Sequence, residues 1–218
     1  MERHFEKSLE DLLSALAEMA GHVDGVLESA EDSLNNSDPS LAEGVFTGEK
    51  DIDVDQNKLD EMIVDFIALH QPVASDLRQV LSAQDIVVDL ERIGDHAVNI
   101  AESSIRLSGL RTPPDLLKLP EMCILARSMV ADSVRSFLTR DADLARRTIA
   151  RDDRMDALNR EMTRLVIGAI KEDRELVETG LELIRISKNL ERMADLSANV
   201  AEDALYLVEG RTARHQPT

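Results

Sequence analysis

The chain has 218 residues, with 43 Asp and Glu against 25 Lys and Arg, a formal charge of −18 and a pI of ≈ 4.6. With no basic stripe anywhere, that balance excludes a partner held through nucleic-acid phosphates, and a hydrophobic share of 43% excludes a disordered chain. Aromatic residues make up only 2%; the apolar content is Leu, Ala, Ile, Val and Met, which favours helices over sheets.

The first segment, MERHFEKSLEDLL onwards, is charged and amphipathic, with Phe5, Leu9, Leu12, Leu13, Leu16 and Met19 at helical spacing. It lacks the apolar centre of a secretion signal, and no 18-residue apolar run occurs in the chain. A cytoplasmic protein without membrane insertion is expected. Asn35 to Pro39 breaks this helix, and a second runs past Val45, Ile52, Leu59 and Ile63 to the break at His70, Gln71 and Pro72. The third opens on QPVASDLR. Pro72 suits its first turn, Asp76 suits the positive end of the helix dipole, and Arg78 is free to pair with Asp76 or with a partner. SGLRTPP, residues 108–114, closes it. A fourth helix carries Leu125, Met129, Ser133, Val134, Phe137 and Leu138; its single cysteine, Cys123, reads as a packed core thiol and suits a reducing compartment. Weaker breaks at Thr139–Asp141 and Lys171–Asp173 bound a fifth helix, and Gly210 closes a sixth ahead of RTARHQPT. Six long amphipathic helices with short connections predict an all-α fold of antiparallel bundles, since a lone helix cannot bury its stripe.

The chain repeats itself. LERIGDHAVNIAE at 90–102 returns as LERMADLSANVAE at 190–202, and DPSLAEGVFTGEKDID at 38–53 returns as DADLARRTIARDDRMD at 141–156. The two spacings differ by three residues, which a shorter connector before the sixth helix explains. The reading is therefore two tandem three-helix units, 1–110 and 111–210, of the spectrin-like kind, with a disordered tail at 211–218.

What the copies keep is carboxylate spacing. On a helix, Glu91, Asp95 and Glu102 fall within about 40° of one another, with Asn99 near 80°, at the edge of the apolar arc of Leu90, Ile93, Ala97, Ile100 and Ala101. Glu191, Asp195, Asn199 and Glu202 repeat the arrangement. Glu49, Asp53 and Asp60 share a line on the second helix, as Asp152 and Asp156 do on the fifth. Each half thus predicts one seam where carboxylates from two helices converge. Such convergence is unfavourable through desolvation and mutual repulsion. Arg92 and Arg192 lie about 100° round, towards water, so a hard cation held by oxygen is the better offset. His96 has Leu196 as its counterpart and reads as a satisfied side chain rather than a ligand. There is no Glu-x-x-His pair, no phosphate-cradling glycine loop and no nucleophile set.

GEKDID, QPVASDLR, LERIGDHAVNIAE and LERMADLSANVAE together resemble the PhoU family of bacterial regulators of phosphate uptake and phosphate-starvation signalling, over about residues 5–209. The resemblance implies two three-helix bundles side by side and metal clusters, iron before manganese, zinc or magnesium. Its ligands would be Glu49, Asp53, Glu91 and Asp95 in one half and Asp152, Asp156, Glu191 and Asp195 in the other, with Asp60, Asn99, Glu102, Asn199 and Glu202 as additional candidates. It further implies a non-enzymatic adaptor, peripheral to the inner membrane, that joins a phosphate ABC transporter to a sensor histidine kinase and restrains the kinase; a homodimer is compatible with it. Two other readings are a metal-dependent enzyme, either a phosphoesterase or a di-metal redox protein, and a helical scaffold without metal.

Overall fold

A computed structural model describes residues 2–36, 39–111 and 118–210. The secondary structure among the described residues is all helical: α1 Glu2–Asn36, α2 Ala42–His70, α3 Ala74–Leu107, α4 Leu119–Leu138, α5 Ala142–Ile149, α6 Asp152–Glu172 and α7 Val177–Glu209. The fifth predicted segment is divided. α5 ends at Ile149 with Ala150 as its C-cap, Arg151 caps α6, and Asp152 is the first residue of a new helix rather than a mid-helix position. The expected tail at 211–218 and most of the connector after SGL lie outside the described residues.

Local chemistry sets the ends. α2 stops where Gln71 turns left-handed and its N–H donates to the Ile67 carbonyl; Pro72 cannot extend the ladder. Asp141 accepts from the Leu144 N–H at 2.9 Å and starts α5, a side-chain cap of the usual kind. Gly210, at φ 66°, ends α7.

α1, α2 and α3 pack on one another, and α7 packs on α4, α5 and α6. The two units meet through α3 against α7 and α1 against α4. The pairs His96–Asn189 and Arg106–Glu182 show that α3 and α7 run antiparallel, since the partner number falls on α7 as it rises on α3. The halves are thus related by a pseudo-two-fold axis across the helices. One continuous apolar core links them, including Leu16, Met19, Ile52, Leu90 and Ile93 on one side and Met129, Phe137, Met155, Met162 and Ile186 on the other. Cys123 is buried in it, and burial pushes its thiol up to about 12. Arg127 ties α4 to α1, its Nε donating to Asp24 at 2.6 Å with Glu28 and Glu31 alongside.

Candidate functional site

On α2, Ile52 is 1% exposed and stands between Glu49 and Asp53 in the sequence; on α3, Gly94 stands between Glu91 and Asp95. A methyl group on Gly94 would lie 3.0 Å from Ile52 Cδ1. The missing side chain therefore lets α2 approach α3 closely at the level of the four acids. That approach brings the carboxylates within electrostatic range. Burial pushes Glu91 upward, and Asp95, Asp53 and Glu49 push it further. Burial, Asp53 and Asp95 act on Glu49 in the same direction. None of these four acids has an ion pair among the described residues, and Arg92 turns away to Asp89 at 3.8 Å.

The second seam has the same frame and a different charge balance. Ala194 and Met155, both fully buried, stand where the first half has Gly94 and Ile52. Asp152 sits in the first turn of α6, where the helix dipole favours an anion. Its Oδ1 is nevertheless buried without a hydrogen-bond partner. Burial, followed by Asp195, Asp156, Asp153 and Glu191, pushes Asp152 up to about 6. Asp195 is also raised, by burial and then by Glu191. Two cations already sit here. Lys188 Nζ donates to the buried Glu191 at 2.6 Å, and Arg160 pairs with Asp156 at 2.9 Å. Their counterparts in the first half are Val88 and Asn57. The sequence reading weighed Arg92 and Arg192 as counter-ions and missed Lys188, although its place one turn before Glu191 was the available signal.

The additional candidates are engaged locally. Asp60 accepts from Gln84 Nε2 at 2.7 Å, Asn99 donates back to the Asp95 carbonyl at 2.9 Å, and Glu102 pairs with Arg106 at 3.5 Å. Asn199 is exposed and Glu202 half-buried. His96 shares a hydrogen bond with Asn189 at 2.9 Å across the α3–α7 junction. It is a satisfied side chain joining the halves, and burial lowers its proton affinity. Arg78 has a buried Nε without a partner.

As packed, no three His, Cys, Asp or Glu side chains among the described residues already surround a common point. The chemistry of the first seam still fits a hard cation: an all-oxygen donor set from two helices, with Lys50 and Arg92 acting on Glu49 and Glu91 only through space and neither ion-paired with a seam acid. Asp53 and Asp95 are exposed, so rotation of their short side chains is free to close on an ion. In the second seam the orphaned Asp152 oxygen fits a cation, while Lys188 and Arg160 already meet part of the demand. No described helix is long and apolar enough to cross a membrane.

A PhoU domain model matches residues 16–104 and again 119–204. A protein of Aquifex aeolicus described as a phosphate-specific transport system accessory protein PhoU homolog is 36% identical over 210 residues, covering 96% of this chain and 95% of that one. The homolog of Clostridium acetobutylicum is 32% identical over 208 residues, 95% of each. The crystal structure of PhoU from Pseudomonas aeruginosa superposes with a TM-score of 0.92 at 32% identity, covering 95% of this chain and 100% of that one. The phosphate transport system regulatory protein PhoU of Streptococcus pneumoniae gives 0.89 at 28% identity, over 97% and 100%.

Proposed function

Because this chain belongs to the PhoU family, we propose that it is a non-enzymatic accessory of phosphate transport: a cytoplasmic, metal-binding regulator that docks on a phosphate ABC transporter and restrains a sensor histidine kinase. The observation that supports the metal reading is the first seam, where Glu49, Asp53, Glu91 and Asp95 approach one another with no ion pair to any of them among the described residues. A cation bound there would offset part of the charge of the four carboxylates and cross-link α2 to α3. Iron is the first candidate, with manganese, zinc or magnesium as alternatives of the same oxygen-ligand chemistry. The residues that would hold it are those four, and Asp152, Asp156, Glu191 and Asp195 in the second half. The ion's contribution is structural and electrostatic. It fixes a rigid helical face whose charge depends on occupancy, which is what an adaptor needs.

Elemental analysis of the purified protein tests the site. Glu91→Ala with Asp95→Ala should remove at least half of the bound metal, because the second seam stays intact and already carries Lys188 and Arg160. Unchanged metal content would eliminate the first seam. Capture of the transporter's ATPase subunit and of the kinase's cytoplasmic region under phosphate-rich conditions tests the adaptor role. Failure with both would eliminate it.

A further inference from the structure

The acids occupy only part of each seam. The hydrogen bond of Gln84 to Asp60 at 2.7 Å sets the register of α2 on α3. One turn past Asp60 on α2 stands Val64, and one and two turns before Gln84 on α3 stand Leu81 and Leu77. Val64 is 65% exposed and Leu81 49%. In the second half the matching positions hold Ile167, Leu181 and Val177, at 45%, 57% and 41%. An apolar side chain left in water gives the fold no burial energy, and the repeat does not keep such residues elsewhere. The exposed Leu69 and Val73 have Glu172 and Asp173 as counterparts. At the end of the seam both copies keep an exposed apolar patch, while the side chains that form it differ.

The charge beside the patch is inverted between the halves. Glu61 and Asp65 flank Val64 on α2; Arg164 and Lys171 stand one turn before and one turn after Ile167 on α6, where the first half has Glu61 and Ala68, and Gly168 replaces Asp65. All four charged side chains are exposed, and none has an ion pair or hydrogen bond among the described residues. Other charges on the same two helices are matched: Lys58 by Glu18 at 3.5 Å and Arg160 by Asp156 at 2.9 Å. Both patches open on one face. The α1–α4 and α3–α7 junctions each join a helix to its own counterpart, so the pseudo-two-fold axis passes through both, and the outer sides of α2–α3 and α6–α7 lie together beside α3 and α7. The His96–Asn189 and Arg106–Glu182 pairs place Leu81 and Leu181 about 36 Å apart along the helices.

An apolar patch rimmed by unmatched acids calls for an apolar patch rimmed by bases, and this chain carries one. Two copies laid face to face about a two-fold axis bring each first-half patch over the other copy's second-half patch, twice over. Glu61 and Asp65 of one copy then face Arg164 and Lys171 of the other, and the exposed Val, Ile and Leu side chains are covered on both sides. Pairing like halves instead would set acid against acid and base against base, which costs energy and disfavours that arrangement. We propose that the two patches are the complementary parts of one interface through which two copies of this chain associate.

Sedimentation equilibrium of the full-length chain, in EDTA at physiological salt, tests this. A dimer should form below about 100 μM and weaken as salt rises. Glu61→Arg with Asp65→Arg makes both patches basic, and Arg164→Glu with Lys171→Glu makes both acidic. Each double variant should weaken association at least about tenfold with an unchanged melting temperature, since the side chains are exposed and unpartnered. Mixing the two variants, or placing all four changes in one chain, restores opposite signs across the interface and should restore association. A general structural effect of the substitutions would not be rescued in this way. Val64→Ser with Leu81→Ser, which removes exposed apolar surface alone, should also weaken the dimer and serves if a reversed chain does not fold. A chain that stays monomeric, a dimer indifferent to charge reversal, or reversal without rescue would overturn the proposal. EDTA keeps the seams free of ions throughout, so the result stands apart from the metal reading.

Discussion

Asp152→Asn should stabilise the metal-free protein at neutral pH and not in acid. The carboxyl of Asp152 rises from 3.8 in the unfolded chain to about 6 in the fold, chiefly through burial and then through its acidic neighbours. A folded-state value above the unfolded one means that the fold prefers the protonated form. The favourable contribution is complete below 3.8 and is lost as pH rises through about 6. Each tenfold in proton affinity corresponds to about 1.4 kcal/mol, so a fully excluded carboxylate with this rise would cost about 3 kcal/mol when ionised. Asp152 is only half-buried, and solvent screening reduces the figure to about 1 kcal/mol. The asparagine keeps the shape and never carries the charge. Urea unfolding in excess EDTA, followed by far-UV circular dichroism from acid to mildly alkaline pH, should show the variant ahead by about 1 kcal/mol above pH 7. The two curves should converge below about pH 4. A constant gap across the range, or a variant weaker at neutral pH, would refute the argument that this carboxylate is strained by its surroundings.

Gly180→Ala should cost about 1–3 kcal/mol in denaturant unfolding, because the new methyl would lie 2.6 Å from Ile170 Cδ1 and 2.8 Å from Cγ1 of the fully buried Val166. Gly21→Ala, with nothing within 4 Å of the added methyl, should instead stabilise α1 by about 0.5–1 kcal/mol in the same assay. Arg127→Ala should lower stability by about 1 kcal/mol at low salt, and by less in high salt, through loss of its contacts to Asp24, Glu28 and Glu31 across the α1–α4 junction. Lys188→Ala should leave Glu191 without its cation and raise divalent-ion affinity at the second seam, read by competition with a coloured chelator; unchanged affinity would show that the ammonium does not compete with an ion there.

The architecture was legible because its evidence is redundant. Two copies of one helical pattern constrain each other, and the stripe from Leu12 to Met19 and the arc from Leu90 to Ala101 are buried as helical periodicity requires. The division between α5 and α6 was not legible. No glycine or proline stands at Ala150–Arg151, and the tertiary packing that turns the chain there has no local signature. In the candidate site, the placement of the acids at the edge of the core followed from spacing. The identity of their neighbours did not. Gly94 matters through Ile52 on another helix, and Lys188 matters because Glu191 is buried. Such facts exist only once two helices are laid together.

The lysine beside Glu191 gives the duplication an asymmetric meaning. A positive group attached to the backbone cannot diffuse away, so Glu191 keeps its partner whatever else is bound, while none of the four acids of the first seam has an ion pair among the described residues. If both seams hold ions as proposed, a fall in ion supply would leave the first seam's carboxylates with no paired charge and the second seam's Glu191 still paired. The second would hold its shape as an internal standard against which that loss is felt, across the antiparallel α3–α7 contact that joins them.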